Sequence, residues 1–163
     1  MKLARKGVEL SDGRERHLLE RTAVRKAVLT DVPTVALPAT VGDARARLDG
    51  SSHDWVIVVD GEGRLQGVVT RERLTEEAAA DGGLEALATA VPPITRYQSL
   101  DVAFRRLAPR GLRMLPVIDA ASSRIVLGAV TRDSLMAAYW SHLIDEQRPK
   151  EPLPKTPQPR DNL

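Results

Sequence analysis

The chain contains no cysteine, so disulfide bonds, thiolate nucleophiles and cysteine-ligated metals are all excluded. Aromatic residues make up only 3% of the sequence, which leaves few side chains that could stack on nucleic-acid bases. Neither positive nor negative charge predominates, because the sequence has 24 basic and 22 acidic residues. The basic residues are also scattered along the chain and form no concentrated patch. Long apolar runs are also missing, since the longest, Trp55 to Val59, is far too short to cross a bilayer. These absences argue against a nucleic-acid partner and against a membrane span within this sequence.

The residues that usually carry catalysis are sparse as well. The three histidines, His17, His53 and His142, are widely separated, and none has the spacing of a metal-ligand motif. No pair of acids stands out, and no phosphate-binding loop of the Gly-x-x-x-x-Gly-Lys type is present. The sequence therefore predicts no catalytic residues, no metal site and no cofactor, and a protein that is not an enzyme.

A tandem repeat is the main feature that is present. Residues 58–60 (Val-Val-Asp) lead through a polar turn to residues 67–71 (Gly-Val-Val-Thr-Arg). Residues 117–119 (Val-Ile-Asp) lead in the same way to residues 128–132 (Gly-Ala-Val-Thr-Arg). A unit of about 60 residues that occurs twice predicts two similar half-domains packed against each other, with clefts between them.

Each unit has the pattern strand, helix, strand, turn, strand, helix. Thr40 and Ser99 are predicted N-caps, and Asp43 completes a capping box with Thr40. The helix after Thr131 has apolar residues on more than one face, which predicts that it packs against a neighbour as well as its own core. The predicted organisation is a lead-in or linker (1–23), a first repeat (24–89), a second repeat (90–147) and a proline-rich disordered tail (148–163).

The paired motifs resemble the cystathionine-β-synthase (CBS) repeat, in which a Leu-Pro-Val-Ile-Asp-like strand precedes a strand that ends Gly-x-x-Thr. Residues 115–119 match the first motif fully, and residues 56–60 match it without the proline. The resemblance implies an α/β (α+β) fold of two pseudo-symmetric CBS repeats, known as a Bateman module. Each repeat is then a small mixed sheet with two helices, and the repeats pack sheet to sheet.

The flanking segments resemble those around the CBS pair of bacterial chloride-channel (ClC) family proteins. The similar segments are residues 2–10, residues 13–15 together with 18–19, and residues 133–139. This second resemblance implies a cytoplasmic regulatory and dimerisation module of a chloride channel or chloride/proton antiporter. It would lie at the inner face of the membrane, with a second copy and a membrane domain as partners. The alternatives are a stand-alone CBS-pair nucleotide sensor that regulates another protein and, from another class, a small enzyme that uses the inter-repeat cleft.

CBS pairs are expected to bind a regulatory ATP, ADP or AMP between the repeats, with an aspartate three residues after the Gly-x-x-Thr threonine on the ribose. Here that position holds Arg73 in the first repeat and Ser134 in the second, and the acids Glu72 and Asp133 stand one residue earlier. One residue rotates a side chain by about 100° around a helix, which predicts that both carboxylates point away from the clefts. Either Ser134 weakly replaces the aspartate or the clefts are empty and structural.

Two candidate nucleotide sites follow from the pseudo-symmetry. Trp55 of the first could stack on a purine or pack in the core, and Arg71 and Arg113 of the second could hold phosphate or lie solvated. Thr70 and Thr131 could equally serve only as helix caps. The first site comprises Pro33, Thr34, Val35, Asp54, Trp55, Val56, Thr131, Arg132 and Ser134. The second site comprises Ile94, Arg113, Met114, Leu115, Thr70, Arg71 and Arg73.

Overall fold

The computed structural model describes residues 13–76, 81–108 and 111–147. These residues form two three-stranded sheets of the same topology, in which the central strand pairs in parallel with the first and antiparallel with the third. The first sheet contains β1 (Thr34–Ala36), β2 (Trp55–Val59) and β3 (Leu65–Thr70), and the second contains β4 (Ile94–Thr95), β5 (Met114–Ile118) and β6 (Val126–Thr131). The predicted tail (148–163) and the first twelve residues lie outside the described residues.

Helices connect and flank these strands in the predicted order. Thr40 and Asp43 form the expected capping box, with each side chain accepting a hydrogen bond from the other residue's backbone N–H, and Ser99 caps the corresponding helix of the second repeat. The helical segments are α1 (residues 13–21), a 3₁₀ turn (Val24–Lys26), α2 (Val41–Asp49), α3 (Arg71–Glu76), α4 (Leu100–Leu107) and α5 (Arg132–Gln147).

The two sheets face each other, so the predicted α+β fold with sheet-to-sheet packing is confirmed. One apolar cluster contains side chains from both sheets, including Trp55 and Ile57 from the first and Met114 and Ile118 from the second. The outer face of each sheet packs on the helices of its own repeat, where Leu74 and Leu135 occupy equivalent, fully buried positions. Apolar burial on both faces of such small sheets makes each repeat depend on the other for its core.

The segment that precedes the first strand of each sheet pairs with an edge strand of the other sheet. Leu29 exchanges backbone hydrogen bonds with Ala129 of β6 (2.8 and 3.0 Å), and Thr89 does the same with Val68 of β3 (2.9 and 2.9 Å). The glycine next to each pairing lets the crossing segment approach closely. A Cβ on Gly128 would lie 2.2 Å from the carbonyl oxygen of Leu29. The glycine that both repeat motifs contain, Gly67 in the first and Gly128 in the second, is thus required by the close approach of the pairing segment from the other sheet.

Helix α1, which precedes Leu29 in the chain, also packs on the second repeat. Its Leu18 is only 4% exposed and packs in the core cluster of the second repeat, together with Leu100, Leu135 and Tyr139. Part of the segment predicted as a lead-in is therefore an ordered element of the second repeat. The chain is interleaved, because residues that precede the first repeat complete the second.

The aspartate at the end of each central strand holds the hairpin that follows it. Oδ1 of Asp119 accepts hydrogen bonds from the Ser123 hydroxyl (2.6 Å) and from the backbone N–H groups of Ala120 and Ile125 (2.7 and 3.0 Å). The hydroxyl bond is the main reason that the pKa of Asp119 lies below its ordinary value of 3.8; partial loss of solvent acts in the opposite direction, and the backbone bonds lower the pKa further.

Asp119→Asn is expected to destabilise the protein at pH 7 and to have a smaller effect in acid. Because the folded pKa lies below the unfolded value, the stabilisation by the Asp119 carboxylate is full at neutral pH. It is lost as the pH falls from the unfolded value through the folded one. Urea unfolding at pH 7 and pH 3 measures this, with Asp145→Asn on the exposed surface of α5 as the control. A difference from wild type that is equal at the two pH values would contradict the assignment.

Candidate functional site

A cleft between the repeats lies at the start of β2 and the N-terminus of α5. Its volume is about 510 Å³, which lies within the range of small-molecule sites. Both repeats and the segment that pairs with β6 contribute to it, so it exists only in the assembled pair. We call it the first cleft, and its lining residues are Leu29, Ser52, His53, Asp54, Trp55, Arg113, Thr131, Asp133 and Ser134.

The aromatic wall of the first cleft consists of His53 and Trp55. Their ring centroids are 4.6 Å apart at an interplanar angle of 34°, and Trp55 is only 4% exposed. Trp55 therefore packs in the core between the sheets, and the half-buried His53 presents the more accessible ring. Of the two roles predicted for Trp55, the structure shows core packing.

The opposite wall is the start of α5, where Thr131 and Ser134 cap each other. The Thr131 backbone N–H donates to Ser134 Oγ (2.9 Å), and the Ser134 backbone N–H donates to Thr131 Oγ1 (3.1 Å). The Ser134 hydroxyl in turn donates to the Thr131 carbonyl (3.1 Å). The Ser134 hydroxyl thus donates once and accepts once within the helix end. A second lone pair on Oγ can still accept from a ribose hydroxyl, so the role of Ser134 as a replacement for the aspartate stays a prediction.

The expectation that Asp133 and Glu72 point away from the clefts is wrong. Asp133 lines the first cleft, and Glu72 lines its pseudo-symmetric counterpart. A rotation by one residue would matter for a ligand beside the helix, whereas the first cleft extends across the N-terminus of α5, where Thr131, Asp133 and Ser134 all reach it.

The second cleft has a volume of about 490 Å³ and is lined by Asp54, Arg71, Glu72, Thr75, Glu76 and Arg113. The guanidinium of Arg71 donates to the carbonyls of Leu48 (3.3 Å) and His53 (3.2 Å) and to Asp54 Oδ1 (3.2 Å). Arg71 therefore fixes the loop that leads into β2. These bonds involve Nε and Nη2 and not Nη1, so the predicted role of Arg71 as a phosphate ligand stays a prediction.

Asp54 and Arg113 occupy equivalent positions in the two repeats and form an ion pair with each other (3.8 Å). Arg113 also lies 3.8 Å from Glu72. Both residues line both clefts, so the clefts share one wall. Such exposed pairs add little stability, but they determine the charge that a ligand meets.

Four residues of the first predicted site line the first cleft: Asp54, Trp55, Thr131 and Ser134. Pro33 and Thr34 line an adjoining depression of about 650 Å³, which shares Ser52 and His53 with the cleft.

The remaining predicted residues lie elsewhere. Val35 and Val56 are in the core of the first repeat, and Ile94 and Leu115 are in that of the second. Met114 lies between the sheets, whereas Thr70, Arg73 and Arg132 line neither cleft. Of the second predicted site, only Arg71 and Arg113 line the second cleft.

Sequence reasoning missed Leu29, Ser52, His53 and Asp133 as lining residues of the first cleft. Ser52 and His53 directly precede the predicted site residue Asp54. Their position just before the predicted strand was therefore a signal that they could line the cleft. Leu29 carries no such signal, because only its pairing with β6 brings it to the cleft.

Within the described ranges there is no group of three or more histidine, aspartate or glutamate side chains that could hold a metal ion. No helix in the described part of the chain is long and apolar enough to span a bilayer.

Residues 24–80 match the family model of the CBS domain. A comparison with curated proteins finds no significant match. Among solved structures, a CBS domain pair/ACT domain protein from Thermotoga maritima shares 26% identity at a TM-score of 0.65, over 75% of this chain and 99% of that one.

Two further solved structures show the same fold. The CBS pair domain of a putative Mg²⁺ transporter from Shewanella oneidensis is 20% identical at a TM-score of 0.66, over 76% of this chain and 72% of its own. A CBS domain pair in complex with 5′-methylthioadenosine and S-adenosyl-L-methionine is 20% identical at a TM-score of 0.63, over 74% of this chain and 98% of its own. The described residues thus have the architecture of a tandem CBS pair, as expected. None of these three structures is a chloride-channel domain, so the narrower expectation stays a prediction.

Proposed function

We propose that this chain is a regulatory CBS pair that binds an adenine nucleotide or nucleoside in the first cleft and performs no catalysis. The observation that carries the proposal is the composition of that cleft, in which residues 52–55 of the first repeat face Thr131, Asp133 and Ser134 of the second. A solved CBS pair of similar fold, in complex with two adenosine-containing compounds, supports the choice of ligand class.

Contacts to both repeats give such a ligand a means of regulation. A molecule that bridges them favours the arrangement in which both sets of contacts are made, and it shifts the population towards that arrangement. Residues 13–29 can transmit this change, because they connect the cleft to the second repeat. Leu29 lines the cleft, and α1, which ends eight residues earlier in the chain, packs on the second repeat.

Calorimetric titration with adenosine, AMP, ADP and ATP tests this proposal. We expect one ligand per chain, and we expect Ser52→Trp to weaken binding more than about 20-fold, because an indole at this exposed lining position would fill the cleft. The matched control is Ser122→Trp, which adds the same group to the exposed hairpin after β5, at the opposite end of the sheet. Absence of binding by all four compounds at millimolar concentration, or equal effects of the two variants, would contradict the proposal.

We also propose a homodimer that forms through α5. Met136, Trp140 and Ile144 follow each other at intervals of one helical turn and are 38%, 53% and 58% exposed. This apolar face continues a helix whose other side packs in the core through Leu135 and Tyr139. A second copy of the chain would cover it, because the same face on two copies is self-complementary about a two-fold axis.

Trp140→Glu is expected to convert the dimer into a monomer, because a carboxylate at the centre of this face would be buried without a partner. Sedimentation velocity at micromolar concentration measures the change. Tyr97→Glu is the control, since Tyr97 is an exposed aromatic residue (68%) outside α5. A wild-type chain that sediments as a monomer, or a Trp140→Glu variant that remains a dimer, would rule out this interface.

For the partner, we propose a membrane channel or transporter, placing the module at the cytoplasmic face of the membrane. The resemblance of residues 2–10, 13–15 and 18–19 to the segment that follows the last membrane helix of chloride channels supports this choice, although residues 2–10 lie outside the described residues. The alternative is a stand-alone sensor that regulates another protein. The neighbouring coding sequence distinguishes them, because a fused or adjacent membrane domain of many apolar helices is expected only for the channel or transporter.

A further inference from the structure

Four ionisable side chains face the first cleft: His53, Asp54, Arg113 and Asp133. Arg113 is the one guanidinium among them, and it already pairs with Asp54 and Glu72 at 3.8 Å each. None of the other described residues forms a hydrogen bond or an ion pair with the Asp133 carboxylate. When the imidazole is neutral, two carboxylates and one guanidinium leave an excess of one negative charge on the walls.

The start of a helix as long as α5 would ordinarily attract a phosphate through its free N–H groups and its dipole. Here the Thr131 and Ser134 N–H groups already donate within the capping box (2.9 and 3.1 Å). Asp133 stands in the first turn and supplies the negative charge that the dipole favours. A phosphate that approached this helix end would meet a carboxylate and a reduced set of donors.

The opposite wall does not compensate for this repulsion. Its accessible ring is His53, its carboxylate is Asp54, and the nearby guanidinium of Arg71 is bonded to Leu48, His53 and Asp54. A ligand phosphate could recruit Arg113 only by drawing it away from Asp54 and Glu72. Hydroxyl or amino groups of a ligand, by contrast, can donate directly to the open Asp133 carboxylate.

From this arrangement we infer that the first cleft selects an uncharged or cationic nucleoside over a nucleoside polyphosphate, and that Asp133 is the residue that sets this preference. The inference rests on the proposed function, because it assumes that an adenine compound binds there. It narrows the proposed ligand from an adenine nucleotide or nucleoside to a nucleoside, and it thereby departs from the ATP, ADP or AMP expected from the sequence.

The test compares adenosine with ATP by calorimetry, at pH 8 and without divalent cations, on the wild-type chain and two variants. Wild type is expected to bind adenosine at least tenfold more tightly than ATP, which corresponds to about 1.4 kcal/mol. In Asp133→Asn, the ratio of adenosine affinity to ATP affinity is expected to fall about tenfold, because the repulsion of phosphate and the acceptor for nucleoside donors are both weakened.

The matched variant is Asp145→Asn, which removes one carboxylate from the exposed surface of the same helix, outside both clefts. Its affinity ratio is expected to stay within about twofold of wild type. Tighter binding of ATP than of adenosine by wild type, or an unchanged ratio in Asp133→Asn, would overturn the inference and leave the proposed function standing. Binding of neither compound would overturn the inference, and it would overturn the proposed function as well if AMP and ADP also fail to bind.

Discussion

Gly128→Ala is expected to lower the free energy of unfolding by about 3 kcal/mol, the largest effect of any change to a glycine among the described residues. The added Cβ would lie 2.2 Å from the Leu29 carbonyl oxygen and 2.9 Å from Val28 Cγ1. The nearest atom is the carbonyl oxygen of Leu29, which itself accepts a hydrogen bond from Ala129. The segment that contains Leu29 must therefore move away from β6 and lose this pairing. Chemical denaturation of the purified variant measures the loss.

Gly67→Ala is the matched comparison, since Gly67 is the equivalent residue of the first repeat. Its Cβ would lie 3.0 Å from Ala88 Cβ and from the Thr89 carbonyl oxygen, a contact that a shift of a few tenths of an ångström relieves. We expect a loss of about 1 kcal/mol. Equal losses at the two glycines would show that close approach of the pairing segments does not determine stability.

Leu18→Ala is expected to lower the free energy of unfolding by about 3 kcal/mol, although Leu18 precedes both repeats in the chain. Its side chain is 4% exposed and packs with Leu100, Leu135 and Tyr139, so truncation leaves a cavity in the core of the second repeat. Hydrogen exchange should then accelerate in β4 and β5 more than in β1 and β2. The same change at the half-buried Leu19 is expected to have an effect of about 1 kcal/mol.

An effect of Leu18→Ala no larger than that of Leu19→Ala would mean that α1 is only loosely attached. Faster exchange confined to the first repeat would contradict the interleaved arrangement. Either result would favour a simple lead-in up to residue 23.

The repeat pattern predicted most of the fold because it encodes local structure. Alternating turns and apolar strands define both hairpins, and Thr40 and Ser99 define helix starts through bonds to residues three positions away. The pseudo-symmetry of residues 58–71 and 117–132 then required two similar sheets. The pairings of Leu29 with β6 and of Thr89 with β3 were not predictable in this way, because they join residues distant in sequence through backbone bonds alone.

The candidate site was predicted in part for a related reason. Asp54 and Thr131 were found because the repeat pattern defines two strands: Asp54 directly precedes β2, and Thr131 is the last residue of β6. Asp133 was placed incorrectly, since the direction of the cleft relative to α5 depends on how the repeats pack and not on the helix itself. Arg71 looked like a phosphate ligand in the sequence. Its bonds to the carbonyls of Leu48, in the last turn of α2, and of His53, before β2, could not be predicted, because they depend on how α2 and α3 pack together.

The most direct test of the central claim, a small-molecule site assembled from both repeats, is hydrogen–deuterium exchange with and without saturating adenosine. Simultaneous protection of residues 51–56 and 129–135, with residues 71–76 unchanged, is the predicted result, because the first cleft draws its walls from the first two segments. Protection confined to one repeat, or unchanged exchange in both segments at saturation, would contradict the claim.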